Sequence, residues 1–173
     1  MVTAVPLTSV ACQQSAALAR AWAAAAGVLD PEVPVLTIAD LGVLREVRIA
    51  DGAVEAVITP TYLGCPAMAV IALDIETALA KAGFARCKVT TVLSPPWTTD
   101  FMSKAGRVKL KRFGIAPPAG KASRRALFGE ERVECPRCGS SQTTRVSEFG
   151  STACKALYRC CACGEPFDYF KCI

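Results

Sequence analysis

Apolar residues recur at helical spacing over two segments in the first half of the chain, residues 12–26 and 66–82. The face predicted for the first helix consists of Leu18, Ala19, Trp22 and Ala26. The stripe predicted for the second consists of Met68, Ile71, Ile75 and Leu79. A glycine follows each segment and is a typical helix stop. We therefore expect two helices that each bury one side.

Alternating apolar and polar residues predict strands over residues 43–49 and 53–58, joined by the hairpin turn Asp51-Gly52. A third strand is expected over residues 87–93 and a basic amphipathic helix over residues 100–113. Ahead of the strands, Thr37 can cap a short turn that Gly42 closes. These elements predict an α/β (α+β) domain.

The last third of the chain carries two copies of the motif C-x-x-C-G, at residues 135–139 and 160–164. Two thiolates on one tight turn can bind one ion, and two facing turns complete a tetrahedron. The candidate ligands are Cys135, Cys138, Cys160 and Cys163. This spacing predicts a zinc ribbon, although four thiolates serve iron as well as zinc. The alternative is a pair of disulfides or buried free cysteines.

Ten cysteines among 173 residues would also suit a disulfide scaffold. The first basic residue is Arg20, so a secretory signal with a charged start is not expected. No apolar run reaches the length of a membrane span. We therefore expect a cytoplasmic protein, with no membrane contact, whose thiols are free or bound to metal.

The net charge of +5 is concentrated in residues 101–125, which hold eight Lys or Arg and no acidic residue. Such a segment can contact nucleic acid, an acidic protein or an acyl-CoA phosphate, or can be a solvated helix face. A Pro-rich and basic stretch follows the predicted domain. We expect the domain at residues 1–116, a linker at 117–130 and the ribbon at 131–173.

Cys65 is the main candidate for chemistry outside the ribbon. It lies in Gly64-Cys65-Pro66, between the end of a predicted strand and the start of a predicted helix. At a helix N-cap the dipole and free amides would lower the thiol pKa and favour a nucleophile or a metal ligand. The alternative is a small residue that only fills the cap. Since the chain has no His, Cys–His catalysis is excluded.

Asp40 and Glu32 are carboxylates that could join Cys65 as ligands or could cap turns. Three further cysteines could form a second thiolate set or be spare thiols: Cys154, Cys161 and Cys172. Cys12 and Cys87 are expected to be bystanders.

Three motifs together resemble the SufT-like iron–sulfur assembly domain: Asp30-Pro31-Glu32-Val33-Pro34, Asp40-Leu41-Gly42-Val43 and Gly64-Cys65-Pro66. The tail, at residues 149–160 and 165–172, resembles a narrower group. That group is the PaaD-type protein (PaaJ subunit) of the phenylacetyl-CoA epoxidase system. The resemblance implies a small assembly domain followed by a zinc ribbon.

The resemblance also implies an accessory role rather than an enzyme: maturation of the iron–sulfur or iron centres of the epoxidase complex. Cys65 would handle iron or a cluster transiently, with Asp40 nearby. The expected partners are the epoxidase components, the iron–sulfur reductase above all, and a homodimer is left open. The alternatives are a nucleic-acid-binding zinc ribbon, which the scarcity of basic residues in the ribbon disfavours, and a non-catalytic structural subunit of the oxygenase.

Overall fold

The computed structural model describes residues 7–118 and 132–171, with side chains from residue 14 onward. The helices are α1 (Leu7–Ala26), α2 (Ile38–Leu41), α3 (Ala67–Lys81) and α4 (Lys104–Phe113), with a 3-10 turn at Thr99–Phe101 before the last. The strands are β1 (Leu44–Ala50), β2 (Ala53–Ile58), β3 (Cys87–Thr91), β4 (Thr143–Ser147), β5 (Lys155–Cys160) and β6 (Pro166–Phe170).

The first sheet has the order β1-β2-β3. The predicted hairpin pairs β1 with β2 antiparallel, from Leu44 opposite Ile58 to Ala50 opposite Ala53. β3 lies parallel to β2, since α3 carries the chain back across the sheet. The predicted α/β class is confirmed, and β3 ends two residues earlier than the alternation suggested.

The core between helices and sheet confirms one predicted apolar face and corrects the other. Ile71, Ile75 and Leu79 of α3 are buried as expected. On α1 the fully buried residues are Ala21 and Ala25, whereas Leu18 is 40% and Trp22 is 42% exposed. The predicted face of α1 is therefore wrong. Alanines lie on all sides of this helix, so the hydrophobic pattern does not show which side is buried. Their small side chains let the helix approach its neighbours closely.

The turn before β1 forms as predicted. The Thr37 hydroxyl accepts a hydrogen bond from the Asp40 amide at 3.0 Å, and the Asp40 carboxylate accepts one from the Thr37 amide at 3.2 Å. This is a reciprocal capping box. Gly42 ends α2 in the left-handed region, and a Cβ there would lie 2.5 Å from the Phe101 carbonyl oxygen. The position therefore requires glycine on both counts.

The second sheet is an antiparallel ribbon of order β4-β5-β6. It joins the first domain through Ala116, whose amide donates to the Asp168 carbonyl at 2.8 Å and whose carbonyl accepts from the Phe170 amide at 2.9 Å. Phe170 also packs on Trp97, with ring centroids 6.2 Å apart. Cys154 and Phe170 lie in the same buried cluster as the core of the first domain. The ribbon is thus docked on that domain.

Most of the predicted linker at 117–130, with Lys121, Arg124 and Arg125, and the predicted ligand Cys172 lie outside the described residues. The proposed domain boundaries therefore stay a prediction. Within the described part of the chain, no helix is both long and apolar enough to cross a membrane.

Candidate metal and thiol sites

The two C-x-x-C-G turns of the ribbon bring four thiols together. The sulfurs of Cys135, Cys138, Cys160 and Cys163 all lie within 4.8 Å of one another. Cys135 Sγ is 3.8 Å from Cys163 Sγ, and Cys138 Sγ is 3.6 Å from Cys160 Sγ. A tetrahedral metal with bonds of about 2.3 Å to four sulfurs has edges of about 3.8 Å. The residues present therefore fit a four-thiolate metal ion.

Backbone amides favour a thiolate at one of the four ligands, Cys160. The amide of Cys163 donates to Cys160 Sγ at 3.5 Å. Hydrogen bonds from the amides of Cys163 and Ala162 lower the pKa of the Cys160 thiol to about 7. Cys135 and Cys160 are buried and the other two ligands are exposed. The metal would therefore bind between the small ribbon core and solvent.

Cys65 lies one residue earlier than predicted relative to its helix. α3 begins at Ala67 with Pro66 as N-cap, and Pro66 makes no side-chain cap. Proline at the cap supplies the helix-ready φ of −69° without a side-chain acceptor. The sulfur of Cys65 nevertheless accepts a hydrogen bond from the Ala67 amide. The predicted N-cap position is thus wrong by one residue, while the predicted contact with the helix N-terminus is present.

The predicted depression of the Cys65 pKa is wrong. Burial raises the pKa of this half-buried thiol. Hydrogen bonds from the Ala67 amide and the Tyr62 hydroxyl lower it, and the charges of Glu32 and Asp30 raise it again. The net direction is upward, because burial and two carboxylates outweigh the helix end. Metal-free Cys65 is therefore a protonated thiol at neutral pH.

The carboxylates beside Cys65 come from the loop after α1. Asp30 is buried, and its Oδ1 accepts hydrogen bonds from the amides of Glu32 at 2.9 Å and Val33 at 2.7 Å. Burial raises the pKa of Asp30 despite these bonds. Burial and the charge of Asp30 also raise the pKa of Glu32. Asp30 thus fixes the backbone of the loop that carries Glu32.

Cys154, which belongs to the ribbon, also contacts Glu32. Its sulfur donates to Glu32 Oε2 at 3.8 Å and lies 3.0 Å from the Thr152 hydroxyl. Burial raises the pKa of Cys154 to about 11. The neighbouring Lys155 is also buried, and its Nζ donates to the Glu32 carbonyl at 3.3 Å. This cluster of Asp30, Glu32, Cys65, Cys154 and Lys155, with Tyr62 beside it, is called the junction site below.

Asp40 has other partners. Its Oδ2 accepts a hydrogen bond from Lys109 Nζ at 2.6 Å, and its Oδ1 accepts one from the Ser103 hydroxyl at 3.1 Å. Together with the Thr37 amide, these contacts occupy both carboxylate oxygens. The structure therefore places Asp40 in a clamp between α2 and α4, and the carboxylates whose charges act on Cys65 are Glu32 and Asp30.

Of the predicted second thiolate set, the two described members, Cys154 and Cys161, are not brought together. Cys154 precedes β5 and Cys161 follows it, so the two lie at opposite ends of a six-residue strand, about 20 Å apart. Cys161 is exposed, and its amide donates to the Gln142 carbonyl. Cys87, half-buried on β3, has its sulfur 3.9 Å from the Glu76 carbonyl. All eight cysteines with described side chains are free.

Sequence reasoning missed Lys155 and Tyr62, and it left Asp30 in a motif without a role. For Asp30 a signal existed, because an Asp two residues before Glu32 and next to proline is typical of a carboxylate that orders a loop. For the others no local signal existed, since the contact between Cys154 and Glu32 joins residues 122 positions apart.

Fold and sites together define a protein with an iron–sulfur assembly domain followed by a four-thiolate ribbon. A family model described as "Iron-sulfur cluster assembly protein" matches residues 18–93, and one described as "PaaD zinc beta ribbon domain" matches residues 119–171. An Escherichia coli protein, provisionally described as a 1,2-phenylacetyl-CoA epoxidase component, is 52% identical over 153 residues, which cover 88% of this chain and 91% of the relative. The chain therefore belongs to the PaaD family of 1,2-phenylacetyl-CoA epoxidase subunits.

The first domain has relatives of its own. The Fe-S protein maturation auxiliary factor SufT of Staphylococcus aureus is 36% identical over 85 residues, which cover 48% of this chain and 96% of the relative. The crystal structure of a DUF59 domain from Bacillus anthracis matches with a TM-score of 0.54 at 27% identity, covering 58% of this chain and 96% of that one. These matches confirm the predicted SufT-like fold.

Proposed function

We propose that this protein is an accessory factor that helps to mature the iron–sulfur or iron centres of a phenylacetyl-CoA epoxidase complex and does not itself catalyse epoxidation. The observation that carries the proposal is a half-buried Cys65 thiol at the N-terminus of α3, on which the Glu32 and Asp30 charges act, in a domain of the iron–sulfur assembly family. With no His in the chain, this thiol has no imidazole base, which favours metal or sulfur handling over Cys–His catalysis.

The electrostatics of Cys65 suit temporary rather than permanent iron binding. Thiols bind metals as thiolates, so iron must displace a proton from Cys65. Because the pKa of Cys65 is raised, that proton competes with the metal and weakens the binding. Moderate affinity is what a carrier needs, since the ion or cluster must leave for the client. In this proposal Cys65 is the ligand, Glu32 is an oxygen donor and Asp40 keeps a structural role.

In the ribbon we propose one zinc ion held by Cys135, Cys138, Cys160 and Cys163. The separation of the four sulfurs supports a closed tetrahedral site with no open position for a substrate. Such a site is structural. The ion would stabilise the strands that carry Cys154 and Phe170 to the first domain.

The proposed partners are the other subunits of the epoxidase, the iron–sulfur reductase first. α4 presents Lys104, Val108, Lys111 and Arg112 at helical spacing on its exposed side. Such a face fits an acidic protein surface. We place the complex in the cytoplasm, where reducing conditions keep free thiols such as those of this chain reduced.

The test is to produce the epoxidase components with the wild-type protein or with Cys65→Ser, and to measure client iron, sulfide and turnover. Cys87→Ser is the matched control, because it removes another half-buried thiol of the same domain. We expect Cys65→Ser to fold, since Ser can accept the Ala67 amide, and to leave the client depleted of iron and inactive. A fully metallated and active epoxidase with Cys65→Ser would refute the proposal.

A further inference from the structure

Cys154 is a buried thiol that the ribbon brings to the core of the first domain. It is 3% exposed and precedes β5, at the end of the ribbon remote from the four-thiolate site. Its sulfur contacts the Glu32 carboxylate at 3.8 Å, and it lies in the buried cluster against which Cys65 packs. Cys154 of the ribbon therefore contacts Glu32, whose charge also acts on the Cys65 thiol of the first domain.

The junction site gathers more acidic groups than its one lysine can balance. Asp30 and Cys154 are buried, and Glu32 and Cys65 are half-buried. The charge of Lys155 acts on Asp30, Glu32 and Cys154. Its Nζ, however, contacts the backbone carbonyl of Glu32 and lies 3.9 Å from Asp168 Oδ2. Because partly buried carboxylates and thiolates need a positive partner, this cluster suits a bound cation.

We propose that the ribbon supplies the second thiolate of the Cys65 site, so that a soft divalent metal ion is held jointly by Cys65, Cys154 and the Glu32 carboxylate. This inference rests on the proposed iron-handling role of Cys65 and extends it by making the ribbon part of the site. Two thiolates and one carboxylate suit Fe²⁺ or a similar ion, and an open position remains for transfer to a client.

The junction site must contract around the ion. Among the described residues, only the four ribbon thiols have all their ligand atoms within 4.8 Å of one another. The loop that carries Cys65 can supply the movement, since the adjoining Leu63 is 78% exposed and is not fixed by packing. Binding would therefore draw this loop towards the ribbon and strengthen the docking of the two domains.

The experiment uses the full-length protein with zinc in the ribbon, under anaerobic conditions, titrated with Co²⁺ as a spectroscopic probe for a second site. Zinc content measured after the titration checks that the ribbon has kept its ion. We expect one Co²⁺ per chain with sulfur-to-cobalt charge-transfer absorption, and X-ray absorption at the cobalt edge should count two sulfur ligands.

Three variants separate the possibilities. Cys154→Ser should bind Co²⁺ at least about tenfold more weakly and with about half the charge-transfer intensity per ion. Cys65→Ser should behave alike, whereas Cys161→Ser, which removes an exposed ribbon thiol, should match the wild type. The count of two sulfurs is made on the wild type and holds even if Cys154→Ser folds poorly.

The absence of a cobalt site in the zinc-loaded protein, or a cobalt site with one sulfur, would overturn this inference. So would wild-type binding by Cys154→Ser. If Cys65→Ser still fails to support the epoxidase in that case, the proposed function stands and only the part assigned to Cys154 falls.

Discussion

Lys109 and Asp40 form an ion pair in which Nζ lies 2.6 Å from Oδ2. The Ser103 amide also donates to the Asp40 carbonyl at 2.8 Å, and a Cβ added at Gly106 would approach that carbonyl to 3.0 Å. These contacts hold the N-terminal turn of α4 directly against α2. The ion pair therefore gives Asp40, which precedes the first strand, a structural role that does not involve iron.

Asp40→Asn should destabilise the protein by about 2 kcal/mol in urea unfolding at neutral pH, because it removes the charge that Lys109 and two other donors satisfy. Burial by itself would raise the pKa of Asp40, but these donors lower it overall. A lowered folded-state pKa stabilises the protein above the unfolded value of 3.8 and ceases to do so as the pH falls through the folded value. An equal loss of stability with Asp51→Asn, at the exposed hairpin turn, would contradict this account.

Neutralising the exposed basic residues of α4 should weaken docking to the epoxidase components. Lys111→Gln with Arg112→Gln should lower the affinity several-fold at low salt and less at high salt, because exposed charges are screened. Lys109→Gln is a different kind of change and should lower the unfolding midpoint instead, since Lys109 contacts Asp40. The measurement is binding to purified components at two ionic strengths. Tight DNA binding that disappears in the double variant would favour the nucleic-acid alternative.

Cys138→Ser should release the ribbon metal, and the ribbon should lose its amide dispersion, because a segment this small obtains much of its folding energy from the ion. The first domain should remain folded, since all but Cys154 and Phe170 of the buried residues in its core cluster are its own. Heteronuclear NMR with zinc analysis tests this, and Cys161→Ser is the matched control because it removes a neighbouring exposed thiol. A metal-free ribbon that keeps its dispersion would show that zinc is dispensable.

The parts of the structure that sequence reasoning anticipated depend on local physics. The hairpin at Asp51, the capping box of Thr37 and the stripe of α3 are each set by residues a few positions apart. The four ribbon thiols follow from a repeated spacing. Each of these signals is complete within its own segment.

The parts that sequence reasoning missed depend on tertiary contacts. An alanine-rich helix does not indicate which side is buried, so Trp22 was placed in the core and is largely exposed. The pKa of Cys65 was expected to fall because its helix is visible in the sequence, whereas Glu32 and Asp30 are brought to it only by folding. The meeting of Cys154 with Glu32 requires the two domains to dock.

Cys65 should react slowly with iodoacetamide at pH 7, because its raised pKa leaves little thiolate. The rate should increase by about tenfold per pH unit until the pKa is reached. Glu32→Gln should accelerate the reaction at pH 7 by removing a nearby negative charge. Peptide-resolved mass spectrometry on zinc-loaded protein distinguishes Cys65 from the exposed Cys161, which we expect to react faster. Faster alkylation of Cys65 than of Cys161 would contradict the raised pKa.

Glu32→Gln should make the protein more stable when no metal is bound outside the ribbon. The folded-state pKa of Glu32 is raised, so this carboxyl stabilises the fold below its unfolded value of 4.5 and loses that contribution as the pH rises through the folded value. The neutral amide avoids the loss. At pH 7 we therefore expect a melting temperature at least equal to that of the wild type and up to about 2 °C higher.

Addition of Co²⁺ should reverse this order, because an ion that binds the folded state stabilises the variant that binds it better. The wild type should gain more than Glu32→Gln, whereas Asp51→Asn, at the opposite end of the β1–β2 hairpin from Cys65, should gain as much as the wild type. Thermal melts of the three proteins with and without Co²⁺ provide the measurement. If Glu32→Gln is less stable without metal and gains as much as the wild type with it, Glu32 is a structural residue and not a metal donor.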